Sequence, residues 1–214
     1  MTAGVYQAPR FILPAILFVL FALVMTPFSV RAEGDQGAAA QKFIAGMAQD
    51  ALDFLKDDSL SGEEKSGKFR QLLQSRYDMD TIGRFALGRY WNVATPDQRT
   101  EYQKLFREMI VRVYSNRFKD YKGQKFETRS HRADGGKDTL VSSFIVPTDG
   151  AAEVQVDWRV RQTGGGFKVV DVVVEGVSMS VTQRSDFASV IQRGGGNVSV
   201  LIDYLKKNQE ESKK

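Results

Sequence analysis

At Gly123 the hydrophobic rhythm of this 214-residue chain changes from helical to extended, and after Val177 it changes back. Before the switch, apolar residues recur every three or four positions, as in Phe43, Ile44, Met47, Ala48, Ala51, Leu52 and Leu55. After it, four segments alternate with a period of two: Phe126–Arg132, Thr139–Val146, Glu153–Arg161 and Phe167–Val177. The linkers Asp134-Gly135-Gly136, Pro147-Thr148-Asp149-Gly150 and Gly164-Gly165-Gly166 are strong turn formers, too short for a crossover. Consecutive strands must therefore run antiparallel. The order of helices, strands and helices predicts an α+β fold, a single domain with a helical layer packed on a curved antiparallel four-stranded meander sheet.

The sheet is one-sided. Val154, Val156, Trp158 and Val160 alternate with Glu153, Gln155, Asp157, Arg159 and Arg161, while Val170, Val172 and Val174 share a face opposite Asp171 and Glu175. Helix starts are also legible. Ser61-Gly62-Glu63-Glu64 has the form of a capping box. A short helix is expected over Asp80–Leu87, with Gly88 as its C-cap. Thr95-Pro96-Asp97-Gln98 joins a capping hydroxyl, a first-position proline and an early acid, and opens a helix running to about Tyr121. Its apolar stripe is Tyr102, Leu105, Phe106, Met109, Ile110, Val113 and Tyr114. Two further helices follow, Arg184–Arg193 and one marked by Val198, Leu201, Ile202 and Leu205.

Residues 1–32 read as a cleavable signal peptide. Arg10 precedes the uncharged run Phe11–Met25, and Val30-Arg31-Ala32 resembles a small-x-small cleavage site. The run has 15 residues and contains Pro14, whereas a membrane span needs about 20, which favours cleavage over the alternative of an uncleaved anchor. Export to the periplasm is expected, then a flexible lead-in over residues 33–39, the folded domain over 40–206 and a loose charged tail over 207–214. The absence of cysteine suits an oxidising compartment and excludes thiol nucleophiles, iron–sulfur clusters and a lipidated N-terminal Cys. One histidine excludes a multi-histidine metal site. Removing Arg10 and Arg31 with the leader takes 30 basic residues to 28, against 26 acids, too balanced for a nucleic-acid binder defined by bulk charge.

Motifs for chemistry fail on inspection. Asp78-x-Asp80-x-x-Gly83 begins like a calcium loop, but Ile82 and Arg89 stand where oxygen ligands are needed. Gly83 to Gly88 has phosphate-loop spacing but is followed by Arg89-Tyr90 and lies in a helical stretch. His131, between Arg129 and Arg132, reads as solvated or hydrogen-bonded. Asp171, set beside an apolar face, is an acid/base candidate, though a bond to a neighbouring strand or loop explains it as well. No nucleophile–base pair can be assembled, so no enzyme activity, cofactor or metal is expected.

The positive signal is apolar surplus. Phe85, Tyr90, Trp91, Phe106, Ile110, Tyr114, Phe144, Val154, Val156, Trp158, Val170, Val172, Val174 and Phe187 can point into one space between sheet and helices. That space is either a filled core or a cavity lined by part of the set. The run Gly88-x-Tyr90-Trp91, then Thr95-Pro96-x-Gln98-Arg99-x-Glu101-Tyr102-x-x-x-Phe106, resembles the central signature of the MlaC, or toluene-tolerance, family. So does Phe167-Lys168-Val169-Val170-Asp171-Val172-x-Val174-Glu175-Gly176-Val177-Ser178, followed by Arg184-x-x-Phe187-x-x-x-Ile191, although the family commonly has Trp at the position of Phe167. The resemblance covers roughly residues 43–206.

It implies a nuclear-transport-factor-like fold and a periplasmic carrier with phospholipid as cargo between sheet and helices. The implied partners are an inner-membrane ABC transporter complex and an outer-membrane lipoprotein–porin complex. A hopanoid or other polycyclic lipid is the alternative cargo. At the cavity mouth, Arg99 and Arg184 are candidate partners for a headgroup phosphate. Two other classes stay open: an enzyme using Asp171 or His131 on an apolar substrate, and an envelope adaptor with a filled core.

Overall fold

The structure is a computed structural model that describes residues 31–211, with backbone alone for residues 31–35. The predicted leader lies almost wholly outside the described residues. The helices α1 (Arg31–Lys56), α2 (Gly62–Arg76), α3 (Met79–Leu87), α4 (Tyr90–Val93) and α5 (Pro96–Ser115) come first. A 3-10 turn at Phe118–Asp120 leads into strands β1 (Lys125–Ala133), β2 (Asp138–Val146), β3 (Val154–Thr163), β4 (Gly166–Val174) and β5 (Val177–Ser178). Helices α6 (Met179–Arg193) and α7 (Val198–Glu211) follow. The sheet is an antiparallel meander in sequence order.

Local chemistry sets the element boundaries. The predicted capping box forms, the Ser61 hydroxyl accepting from Glu64 N while Glu64 takes the Ser61 amide, and the Thr95 cap of α5 proves to be a second box with Gln98. The predicted fourth strand divides into β4 and β5, making five strands rather than four. Glu175 and Gly176 between them adopt left-handed φ of 48° and 79°, the geometry of a tight hairpin turn. Glu175 tolerates it because its own amide donates to Gln155 O at 3.0 Å and its carboxylate accepts the Gln155 amide at 2.5 Å.

Four boundaries differ from expectation, the first being α6, which begins at Met179 behind the Ser178 cap rather than at Arg184. Helix α1 already begins at Arg31, so residues 33–39 are helical rather than a loose lead-in. Gly37 is needed there, since a Cβ would come within 2.3 Å of the His131 ring where α1 crosses β1. Helix α5 stops at Ser115 rather than Tyr121. Helix α7 continues through residues expected as a tail, and Lys206 reaches Glu101 at 2.6 Å.

Two apolar clusters result. On the sheet side, Ala40, Ile44, Met47 and Phe54 of α1 and Leu72 of α2 cover Val141, Val160 and Val169. On the helical side, α3 to α7 enclose Leu87, Tyr102, Phe106, Phe187, Ile191, Leu201 and Leu205. Tyr102 stacks on Phe106 at 5.8 Å, and Phe187 meets both edge-on. The Tyr102 hydroxyl is satisfied by Gly83 O at 2.8 Å, and burial pushes its pKa well up. Phe69 and Tyr77 pack against both clusters.

Candidate functional site

The seam between the two clusters is the candidate site. Strand register assigns its sheet wall: Val141 opposes Trp158, Ser143 opposes Val156, Ile145 opposes Val154, Trp158 opposes Val172 and Val156 opposes Val174. These residues share the face that α1 covers at Val141 and Val160. Trp158 is held in place, its indole N–H donating to Ser143 Oγ at 2.8 Å, and Phe126 meets it edge-on at 6.1 Å. Opposite, Phe69, Tyr77, Ile82 and Ile110 are half-buried against the helical cluster. An aromatic series crosses the seam from Tyr114 to Phe69 (6.3 Å), Phe118 (5.3 Å) and Phe54 (5.9 Å). Burial raises the pKa of the Tyr77 phenol. At one end of the inner sheet face, Ile145 is 37% and Val177 53% exposed, leaving apolar surface uncovered.

The fourteen expected lining residues do not share one space. Val154, Val156, Trp158, Val172 and Val174 stand on the inner sheet face, Ile110 packs against the helical cluster, and Tyr114 of α5 meets Phe69, which touches both clusters. Phe106 and Phe187 are instead sealed in the helical cluster, 1% and 2% exposed, and the neighbouring Tyr90 belongs to the same cluster. Phe85 and Trp91 lie under arginines at the turn between α3 and α4. Phe144 opposes Glu127 and Gln155 on the outer sheet face, where the Arg129 guanidinium sits 3.9 Å from its ring centroid. Val170 falls at a bulge: the register slips between Arg159 and Val160, so Val169 rather than Val170 opposes Val160. Strict alternation through that strand misses the slip. Val169, fully buried, and the half-buried Phe69, Tyr77 and Phe118 are the seam residues that sequence reasoning left out.

The acid/base candidates are occupied elsewhere. Asp171 is buried and accepts from Arg159 Nη1 (2.9 Å), Ser178 Oγ (2.7 Å), Val172 N (2.9 Å) and Ser180 N (3.2 Å). It thereby ties β4 to the start of α6. His131 Nδ1 is 2.8 Å from Gln41 Oε1 at the surface. Among the described residues no group of three His, Cys, Asp or Glu side chains is placed to hold a metal ion. Arg99 and Arg184, the headgroup candidates, lie beside the turn between α3 and α4. Two open grooves are also present, about 400 Å³ between α1 and α2, bordering the seam at Phe54 and Leu72, and about 430 Å³ among α5, α6 and α7. The first is lined by Asp50, Asp53, Asp57, Lys68 and Arg76 around Phe54, Leu60 and Leu72, and its charged rim does not suit a fatty chain.

The family model described as "MlaC protein" matches residues 45–207. The chain belongs to the MlaC family. This MlaC-family chain is 30% identical over 115 residues to toluene tolerance protein ttg2D of Pseudomonas putida, a match spanning 54% of the chain and 53% of that protein. It is 23% identical over 205 residues to the intermembrane phospholipid transport system binding protein MlaC of Haemophilus influenzae, covering 91% and 93% of the two. Among solved structures, a phospholipid-binding protein from Ralstonia solanacearum, in complex with a phospholipid, superposes with a TM-score of 0.71 at 28% identity. That match covers 82% of this chain and 99% of the other. No described helix is long and apolar enough to cross a membrane.

Proposed function

We propose that this MlaC-family protein is a periplasmic phospholipid carrier. It holds acyl chains in the seam between the inner sheet face and α5, without covalent chemistry. The reading rests above all on the phospholipid-bound structural relative, whose whole length this fold matches. The seam adds a physical reason. Two acyl chains with about 30 methylenes cost about 24 kcal/mol to expose to water, at about 0.8 kcal/mol each. A wall of Val, Phe and Trp removes that cost, and transfer between carrier and membrane becomes nearly neutral. The two clusters share only a few side chains, so they can part along Phe69 and Tyr77 to admit a chain while each stays packed. On this reading the leader is removed after Ala32, and the carrier serves an inner-membrane ABC transporter complex and an outer-membrane lipoprotein–porin complex. Asp171 and His131 then act structurally.

Organic extraction of the mature protein purified from cells tests the function. One phospholipid per chain is the expected result. A polycyclic lipid would redirect the cargo, and an empty protein that also takes up nothing from vesicles would contradict the carrier.

A further inference from the structure

We propose that the turn joining α3 to α4 is a docking surface for an acidic protein partner, an inference that rests on the carrier reading. Four arginines gather there from α3, the turn itself, α5 and α6. Arg84 and Arg99 lie 5.8 and 5.4 Å from the centre of the Trp91 ring, Arg89 lies 5.0 Å from that of Tyr90, and Arg184 lies 4.7 Å from that of Phe85. Arg99 also donates to the carbonyl of Trp91 at 2.9 Å, and Arg89 to the Tyr90 hydroxyl at 2.9 Å. Gly88 makes the assembly possible. Its φ is 58°, and a Cβ there would come within 3.0 Å of Arg184 Cδ, so the arginine stem lies directly against the turn.

Among the described residues none of these four arginines takes part in an ion pair. On the outer sheet face the reverse holds, where Arg129, Arg159 and Arg161 each meet a carboxylate within 2.9 Å. Of the acids near the start of α5, Glu101 is taken by Lys206. Val93, 70% exposed on α4, adds an apolar contact two residues from Trp91.

A guanidinium takes a carboxylate bidentately, and the attraction of a nearby ring face holds its charge close to the turn before the partner arrives. Arginine and aromatic residues around an exposed aliphatic are the composition that concentrates binding energy at protein interfaces. The whole chain carries only +4, so attraction comes from this patch rather than from bulk charge. That favours a shaped acidic protein surface over a uniformly anionic bilayer.

The test is co-sedimentation of the mature protein with membrane vesicles from the envelope of cells that make it, intact or stripped with protease. Wild type should sediment with intact vesicles and not with stripped ones. Arg84→Glu/Arg89→Glu should lose about tenfold or more in apparent affinity while keeping a native circular dichroism spectrum. Val93→Asp, on an exposed side chain, should weaken binding in the same direction and decides the matter should the double variant not fold. Sedimentation of both variants like wild type would overturn the proposal. So would equal binding to stripped vesicles, which would assign the patch to lipid surface instead. Lipid content is extracted from the same preparations, so an empty wild type would contradict the carrier reading and leave the docking result standing on its own.

Discussion

Phe106 and Trp158 are both large aromatic residues on one-sided elements, yet Phe106 is 1% exposed between Tyr102 and Phe187 whereas Trp158 stays half-buried on the inner sheet face. The difference lies in what covers each. Phe106 lies in a cluster built by side chains of α2 to α7, which interlock from several directions. The inner sheet face is covered chiefly by α1, with Leu72 of α2 beside it, and toward Ile145 and Val177 the covering runs out. A helical cluster can close on itself; a wide twisted sheet capped by two helices leaves an apolar margin. On the carrier reading, the closed cluster would be the rigid jaw and the open margin the surface that meets the lipid.

Substitutions that separate the two jaws test this contrast. The largest effect belongs to the closed one. Phe106→Ala should cost about 3–5 kcal/mol in denaturant unfolding, with lipid per folded molecule unchanged. A loss under about 1 kcal/mol would mean that the helical cluster is not packed. Next is the tie between the jaws. Asp171→Ala removes the acceptor of four hydrogen bonds and should cost about 2–3 kcal/mol. Because the Arg159 end is partly solvated, Asp171→Asn should recover part of that loss, and equal losses for the two variants would deny the tie.

On the open jaw the balance reverses. Val172→Glu puts a carboxylate opposite Trp158, where an acyl chain would have to desolvate it, and should lower lipid retention by about tenfold or more. Its unfolding free energy should change far less than that of Phe106→Ala, and normal lipid content would move the binding surface elsewhere. The smallest effect is Thr95→Ala, which removes the cap of α5 and should cost about 1 kcal/mol in unfolding without touching lipid content. A change in lipid content there would couple the start of α5 to the seam.

Much of the fold was legible because local rules and tertiary demands agree. Thr95, Pro96 and Gln98 announce α5, and the Gly-rich turns force a meander. The failures come where local and long-range demands part. The slip at Val170 and the turn at Glu175 depend on cross-strand partners, Val160 and Gln155, that no period reveals. The site was half legible for the same reason. Alternation correctly placed Val156, Trp158 and Val172 on one face. An amphipathic stripe, however, does not tell which helix buries it, so Phe106 and Phe187 read the same as Ile110 and Tyr114. Phe144 shows the limit most clearly: an aromatic residue on the outer face, its apolar ring covered by an arginine instead of a helix.

The most direct test of the seam is to load the mature protein with a phospholipid carrying a photoactivatable group on its acyl chain and to map the cross-links by mass spectrometry. Attachment should concentrate on Trp158, Val172, Ile110 and Tyr114. Attachment instead in the groove lined by Arg112, Val113, Arg193 and Tyr204, or on the outer sheet face around Phe144, would contradict the account.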